Sequence, residues 1–141
     1  MTKRLTLFFA LLFSVLLLSV TASAQGGLKP IADTGMIDLG PTEVLRLSVA
    51  GGDVTGDGND IVVRFRQMSY IEQGNVYRVG STNTSAPITL GRREATAIEI
   101  PNVGLPVRGV VLSNNRNVKV VAIVFDTSTQ RINAIMTFIP D

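Results

Sequence analysis

Cysteine, histidine and tryptophan are all absent from these 141 residues, and each absence removes a class of chemistry. Without cysteine there is no disulfide staple, no thiolate nucleophile and no sulfur ligand for a metal. Without histidine, the usual acyl-transfer triads and imidazole-bound metals cannot be assembled. Aromatic rings are scarce as well, at 6% of the chain. Tyr70 and Tyr77 are the only tyrosines; they flank the Glu72–Asn75 turn and read as rim residues of a hairpin. A paired-carboxylate glycosidase could be drawn with Asp53, Asp57 or Asp60, but sugar clefts need aromatic platforms that this chain lacks. The composition points away from an enzyme and assigns no catalytic residue.

A surplus of either charge is also missing once the first residues are set aside. Lys3 and Arg4 precede an apolar run from Leu5 to Val20, and Ala22-Ser23-Ala24 then places small residues on either side of Ser23. This is the pattern of a cleaved signal peptide over residues 1–24. The run is 16 residues long, short of the roughly 20 that span hydrocarbon, and no basic stop-transfer cluster follows it. The 13 Lys and Arg include Lys3 and Arg4, which leaves residues 25–141 with 11 basic and 11 acidic residues. A neutral domain has no long-range pull on nucleic acid, so no nucleic-acid partner is expected. The expected location is outside the cytoplasm, periplasmic or extracellular, with no stable membrane insertion after cleavage.

Residues 25–141 suit one domain by length. They show no convincing amphipathic helix. Period-two alternation marks strands over Glu43–Ala50, Ile61–Met68 and Glu94–Ile100. Val118–Phe125 is apolar on both faces and reads as a central strand, with Arg131–Ile139 after it. Weaker strand signals lie at Met36–Leu39, Val76–Val79, Pro87–Leu90 and Val107–Ser113. Gly51-Gly52, Asp57-Gly58 and Gln73-Gly74-Asn75 punctuate them. Asn114–Asn117 and Asp126–Gln130 look like hairpin loops that would join the last three strands into a meander. Seven to nine short strands at this spacing predict a single antiparallel β-sandwich of immunoglobulin-like dimensions, with barrel closure as the alternative. The expected layout is an N-terminal arm or edge strand over 25–42 and the sandwich over 43–141.

Several of these segments together carry a resemblance. "LGPTEVLRLSVA", "IVVRFRQM", "SAPITLGRREATAIEI" and "VKVVAIVFDTSTQRINAIMTFIP" resemble a recurrent type of small exported bacterial immunoglobulin-like β-sandwich, and they cover most of residues 25–141. The shared motifs are those of turns and strands. The resemblance therefore implies fold and export and brings no functional residue with it.

One segment has the composition of an ion site. Gly52-Asp53-Val54-Thr55-Gly56-Asp57-Gly58-Asn59-Asp60 places oxygen side chains at Asp53, Thr55 and Asp57, with Gly58 next. That is how a calcium loop begins, with alternate residues turned toward a hard cation and glycine at the bend. The segment resembles the loops of dockerins and of FG-GAP propeller repeats, and the resemblance implies calcium as cofactor with Asp53, Thr55, Asp57 and Asp60 as ligands. Two departures count against it. Arg64 stands where the EF-hand type needs a bidentate carboxylate, and Asp60 comes one residue early for the propeller type. A Gly- and Asp-rich hairpin loop accounts for the same residues.

Arg64 and Arg66, with Arg46 on the preceding strand, form a candidate basic stripe across paired strands; Glu43, Glu94 and Glu99 are then the expected cross-strand partners that make it a charge-paired face. Asn83-Thr84-Ser85 fits a glycosylation sequon but reads as a polar loop. Two edges are candidates for assembly. Gln25–Gly40 must cover Leu28, Ile31, Met36, Ile37 and Leu39, in its own sheet or a neighbour's, and Ile132–Ile139 runs to Pro140, which stops the strand. The resulting expectation is a non-catalytic structural or protein-interaction module with an unidentified protein or cell-surface partner, monomeric by default. The alternatives are a calcium-dependent binding module and a filament or adhesin subunit assembled by strand exchange.

Overall fold

The structure, a computed structural model, describes residues 27–52, 60–91 and 93–138. Residues 1–24, expected from the sequence to be a signal peptide, lie outside the described residues. Nine strands are described: β1 (Lys29–Asp33), β2 (Glu43–Gly51), β3 (Ile61–Gln73), β4 (Val76–Thr84), β5 (Ile88–Leu90), β6 (Ala95–Pro101), β7 (Val107–Ser113), β8 (Val118–Asp126) and β9 (Arg131–Phe138). They form two antiparallel sheets that do not close into a barrel. Sheet A runs β1-β7-β3-β4, with β5 pairing β3 beyond the end of β4; sheet B runs β6-β2-β8-β9.

Alternation builds the space between the sheets. Leu45, Leu47 and Val49 of β2, Val120, Ala122 and Val124 of β8, and Ile61, Val63 and Phe65 of β3 are all buried and join one core cluster. Their neighbours one residue along face outward. At Gly109 of β7, a Cβ would stand 2.5 Å from Leu47 Cδ1 and 3.3 Å from Ile100 Cδ1. The missing side chain lets the centres of the two sheets approach closely. Within the β3–β4 contact, the hydroxyls of Ser69 and Ser81 satisfy each other at 2.7 Å.

Chain order and spatial order part company at β7. Asn114–Asn117 does not close a hairpin; it carries the chain from sheet A to sheet B, and of the last three strands β8 and β9 alone pair as successive strands. Asn114 locks the crossover: its Oδ1 accepts from Val62 N at 2.8 Å and its Nδ2 donates to Asp60 O at 3.0 Å. Gly52 N donates to Asn117 O at 3.0 Å from the other side. These anchors fix the four residues as a bridge between sheets, although the length would suit a turn.

The arm behaves differently from a free extension. β1 pairs β7 within the same chain and buries Ala32, so Lys29–Asp33 closes its own sheet. Met36–Leu39 is not a strand; a single bridge, Ile37 to Val107, holds it, and Leu39 enters the core while Met36 stays out. β4 continues through Asn83 and Thr84, where a loop was expected, and Ser85 then brackets Phe65: Phe65 N donates to Ser85 Oγ at 3.0 Å and Ser85 N to Phe65 O at 2.8 Å.

Candidate functional site

Of the residues expected to ligate calcium, Asp53, Thr55 and Asp57 lie outside the described residues. Asp60 is exposed, and its carbonyl is held by Asn114. Among the described residues no three Asp or Glu side chains gather in a way that could hold a metal ion. The remaining functional candidates are the outer faces and edges of the two sheets.

Sheet B turns an apolar face outward. Because Val120, Ala122 and Val124 point into the core, Val121, Ile123 and Phe125 of β8 must point out. They are half-buried. Beside them on β9, Ile132 pairs with Phe125 and Ile135 with Ile123, at 56% and 61% exposure. A bulge at Asn133 shifts the register between these two pairs, which brings both isoleucines to the outer face. Val44 completes the patch from β2, opposite Phe125. On its far side Arg46 Nε donates to Glu99 Oε1 at 3.0 Å, so this face carries a neutralised ion pair. β9 has β8 on one side and no strand on the other among the described residues.

Sheet A turns arginines outward. Phe65 and Val111 form an inward pair, so Arg64, Arg66 and Met68 of β3 share the outer face with Arg108, Val110 and Leu112 of β7. Arg64 lies opposite Leu112, Arg66 opposite Val110 and Met68 opposite Arg108. Val110 and Leu112 are only 5% and 6% exposed and stand apart from the central core cluster. Arg66 and Arg64 stand opposite them in register, with stems long enough to cover an apolar strand. Arg64 bears a cost for it: its Nε is buried without a hydrogen-bond partner, and an orphaned buried donor costs about 1–3 kcal/mol.

The expected stripe is therefore composed differently. Arg46 belongs to sheet B, on the opposite side of the molecule from Arg64 and Arg66, because β2 and β3 do not pair. Of the expected acidic partners, Glu99 serves Arg46. Glu43 Oε2 accepts from Gly40 N at 2.7 Å and Glu94 Oε2 from Gly91 N at 2.7 Å, so both carboxylates hold local turns. Arg64 and Arg66 face no carboxylate among the described residues.

Arg108 takes the third place on this face. Its guanidinium grips Asp33 with two nitrogens, Nε donating to Oδ1 at 2.7 Å, and Nη1 donates to the Tyr70 hydroxyl at 3.2 Å. The Arg108 hydrogen bond holds the Asp33 carboxyl below its ordinary range against some desolvation, and Gly35 N helps from the backbone. The guanidinium is correspondingly harder to deprotonate, chiefly through Asp33 and then Tyr70. Asp33 and Arg108 are 75 positions apart, and no local pattern announces them. Tyr70 and Tyr77 share one outer face of the hairpin, since Tyr70 pairs with Val79 and Glu72 with Tyr77.

The β3–β4 hairpin supplies a second open edge. Gly74, at φ +67°, begins the two-residue turn that joins Gln73 to Val76. All nine residues of β4 are exposed, with Val76 at 57% and Val79 at 52%.

No model of a known protein family, no curated protein and no solved structure matches this chain.

Proposed function

We propose that this chain is an exported, non-catalytic interaction module with an immunoglobulin-like sandwich as its scaffold, and that it works by pairing its β9 edge with β9 of a second copy. The observation that carries the reading is the coincidence of an open edge with uncovered isoleucines: Ile132 and Ile135 stand outward on the last strand of sheet B. An unpaired edge presents a row of backbone donors and acceptors, and alternate apolar side chains give such pairing its register.

The charge on β9 favours a like partner in antiparallel orientation. Arg131 is the strand's one charged residue and lies at its start. With Ile135 on a two-fold axis, the two arginines stand about 27 Å apart at roughly 3.3 Å per residue. The isoleucines of both copies then join into one continuous apolar band. A parallel arrangement would set the arginines side by side. Strand donation by the N-terminal arm has less support, since β1 is already occupied with β7, and calcium dependence has no observation among the described residues in its favour.

Sedimentation equilibrium over a wide concentration range tests this. The intact chain is expected to associate to a dimer, and Ile132→Lys with Ile135→Lys is expected to leave it monomeric with an unchanged melting temperature. A chain that stays monomeric at millimolar concentration, or one whose association ignores both lysines, overturns the reading.

A further inference from the structure

The arginine face of sheet A lies on the side of the molecule away from β9 and is unnecessary to that pairing. We propose that Arg64 and Arg66 together form a binding site for a tetrahedral oxyanion, a phosphate or sulfate group, whether as the free ion or carried on a polymer.

Spacing comes first. Residues i and i+2 of a strand point the same way with their Cα atoms about 7 Å apart, which two guanidinium groups can close around one anion. Arg66 lies opposite Thr84 of β4, so a hydroxyl donor stands on the same face beside the pair. Thr89 of β5, opposite Val62, adds a second hydroxyl to that face further along.

The local charge supports the site even though the mature chain is neutral. Among the described strand residues, the acidic ones sharing this outer face are Asp33 and Glu72. Asp33 is engaged by Arg108. Glu72 is six residues along β3 from Arg66, roughly 20 Å away, well beyond a Debye length of about 8 Å at physiological ionic strength. Among the described residues Arg46 and Arg108 each have a carboxylate partner, whereas Arg64 and Arg66 have none.

Preorganisation is the second, independent observation. The Arg64 Nε is buried and has no hydrogen-bond partner, so part of the guanidinium has already been withdrawn from water. A guanidinium with part of its hydration already lost gives up less on meeting an anion than a freely solvated one. The fork geometry suits the oxygens of phosphate and sulfate, which accept two parallel N–H bonds. Lysine has no such fork, and no lysine shares this part of the face.

Nitrogen-15 correlation spectra of the intact chain, titrated with inorganic phosphate and separately with dextran sulfate, test the site. Saturable shifts are expected at Arg64, Arg66, Thr84, Val110 and Leu112. The Arg64→Gln/Arg66→Gln variant is expected to lose about tenfold or more in affinity, while Lys119→Gln on sheet B loses nothing. Arg64→Lys/Arg66→Lys keeps the charge without the fork and is expected to fall between the two. Comparable affinity for both probes identifies a free ion as the ligand; a much tighter hold on dextran sulfate identifies a polymer. A spectrum as dispersed as the parent's establishes that each variant is folded. Shifts that fail to saturate, that spread over all basic residues, or that persist in the folded glutamine variant overturn the proposal.

Discussion

The outer faces of the two sheets begin from similar material and end differently. Each has a central strand with branched aliphatic side chains pointing away from the core: Val110 and Leu112 on β7, Val121 and Ile123 on β8. On sheet A these residues are nearly as buried as the core itself; on sheet B they are half-covered, and the neighbouring edge residues Ile132 and Ile135 are mostly exposed. The difference lies in the neighbours. Arg64, Arg66 and Arg108 flank β7 or lie on it, whereas β8 has the single, Glu99-paired Arg46 on its β2 side and isoleucines, asparagine and threonine on the outer face of β9. Charged side chains with long apolar stems can roof a surface while keeping it soluble. Where fewer of them stand, as beside β9, the isoleucines stay exposed.

Truncation separates the two faces most sharply. Leu112→Ala removes a side chain that is 6% exposed and leaves a gap beneath the Arg64 stem, so a loss of about 2–3 kcal/mol is expected. Ile135→Ala removes one that is 61% exposed and is expected to change stability by less than about 0.5 kcal/mol. Urea unfolding of the two variants, done where the chain is monomeric, measures both. Equal costs would mean that the arginine roof does not distinguish the faces.

That contrast was only half legible in the sequence, for a definite reason. Alternation reveals a strand when one face meets a core, and β2, β3 and β8 were readable for that reason. β4 has no buried residue, so nothing beyond Val79 alternated and its second half looked like loop. β1 buries Ala32 alone and left a similarly faint trace. Sheet membership was harder still. A four-residue link such as Asn114–Asn117 serves a hairpin or a crossover equally well, and the pairing of β8 with β2, far back in the chain, decides between them. The placement of Arg46 beside Arg64 and Arg66 failed for the same reason, since strands adjacent in sequence lie in opposite sheets. The partnership of Asp33 with Arg108 is wholly a product of the third dimension.

The ion pairs offer a finer version of the comparison. Arg46–Glu99 on sheet B is about half exposed on both sides, while Arg108–Asp33 on sheet A is less exposed, at 37% and 38%, and has the Tyr70 hydroxyl as an additional acceptor. Exposed pairs contribute about 0.2–1 kcal/mol. Arg108→Ala is expected at the upper end of that range, because its stem also covers apolar neighbours, and Arg46→Ala at the lower end. Chemical denaturation of both variants decides it. An Arg46 variant that costs more than the Arg108 variant would reverse the ranking of the two faces.

Acid titration probes the smallest effect, and here two aspartates differ in how they are held. Asp33 is depressed chiefly by a guanidinium across the sheet. Asp126 is brought down to about 2 by the turn it caps: Ser128 Oγ donates to its Oδ1 at 2.7 Å, Ser128 N at 2.8 Å and Thr129 N at 3.1 Å. Both folded values lie below the unfolded one, so each carboxylate stabilises the fold above the usual aspartate range. Each contribution is lost as pH falls through its folded value. Carboxyl carbon-13 shifts followed from pH 5 downward should show Asp126 still ionised near pH 3. The Ser128→Ala variant should move its midpoint upward and leave that of Asp33 in place, whereas Arg108→Ala should do the reverse. A single variant that moved both midpoints would join two sites that the structure holds on separate sheets.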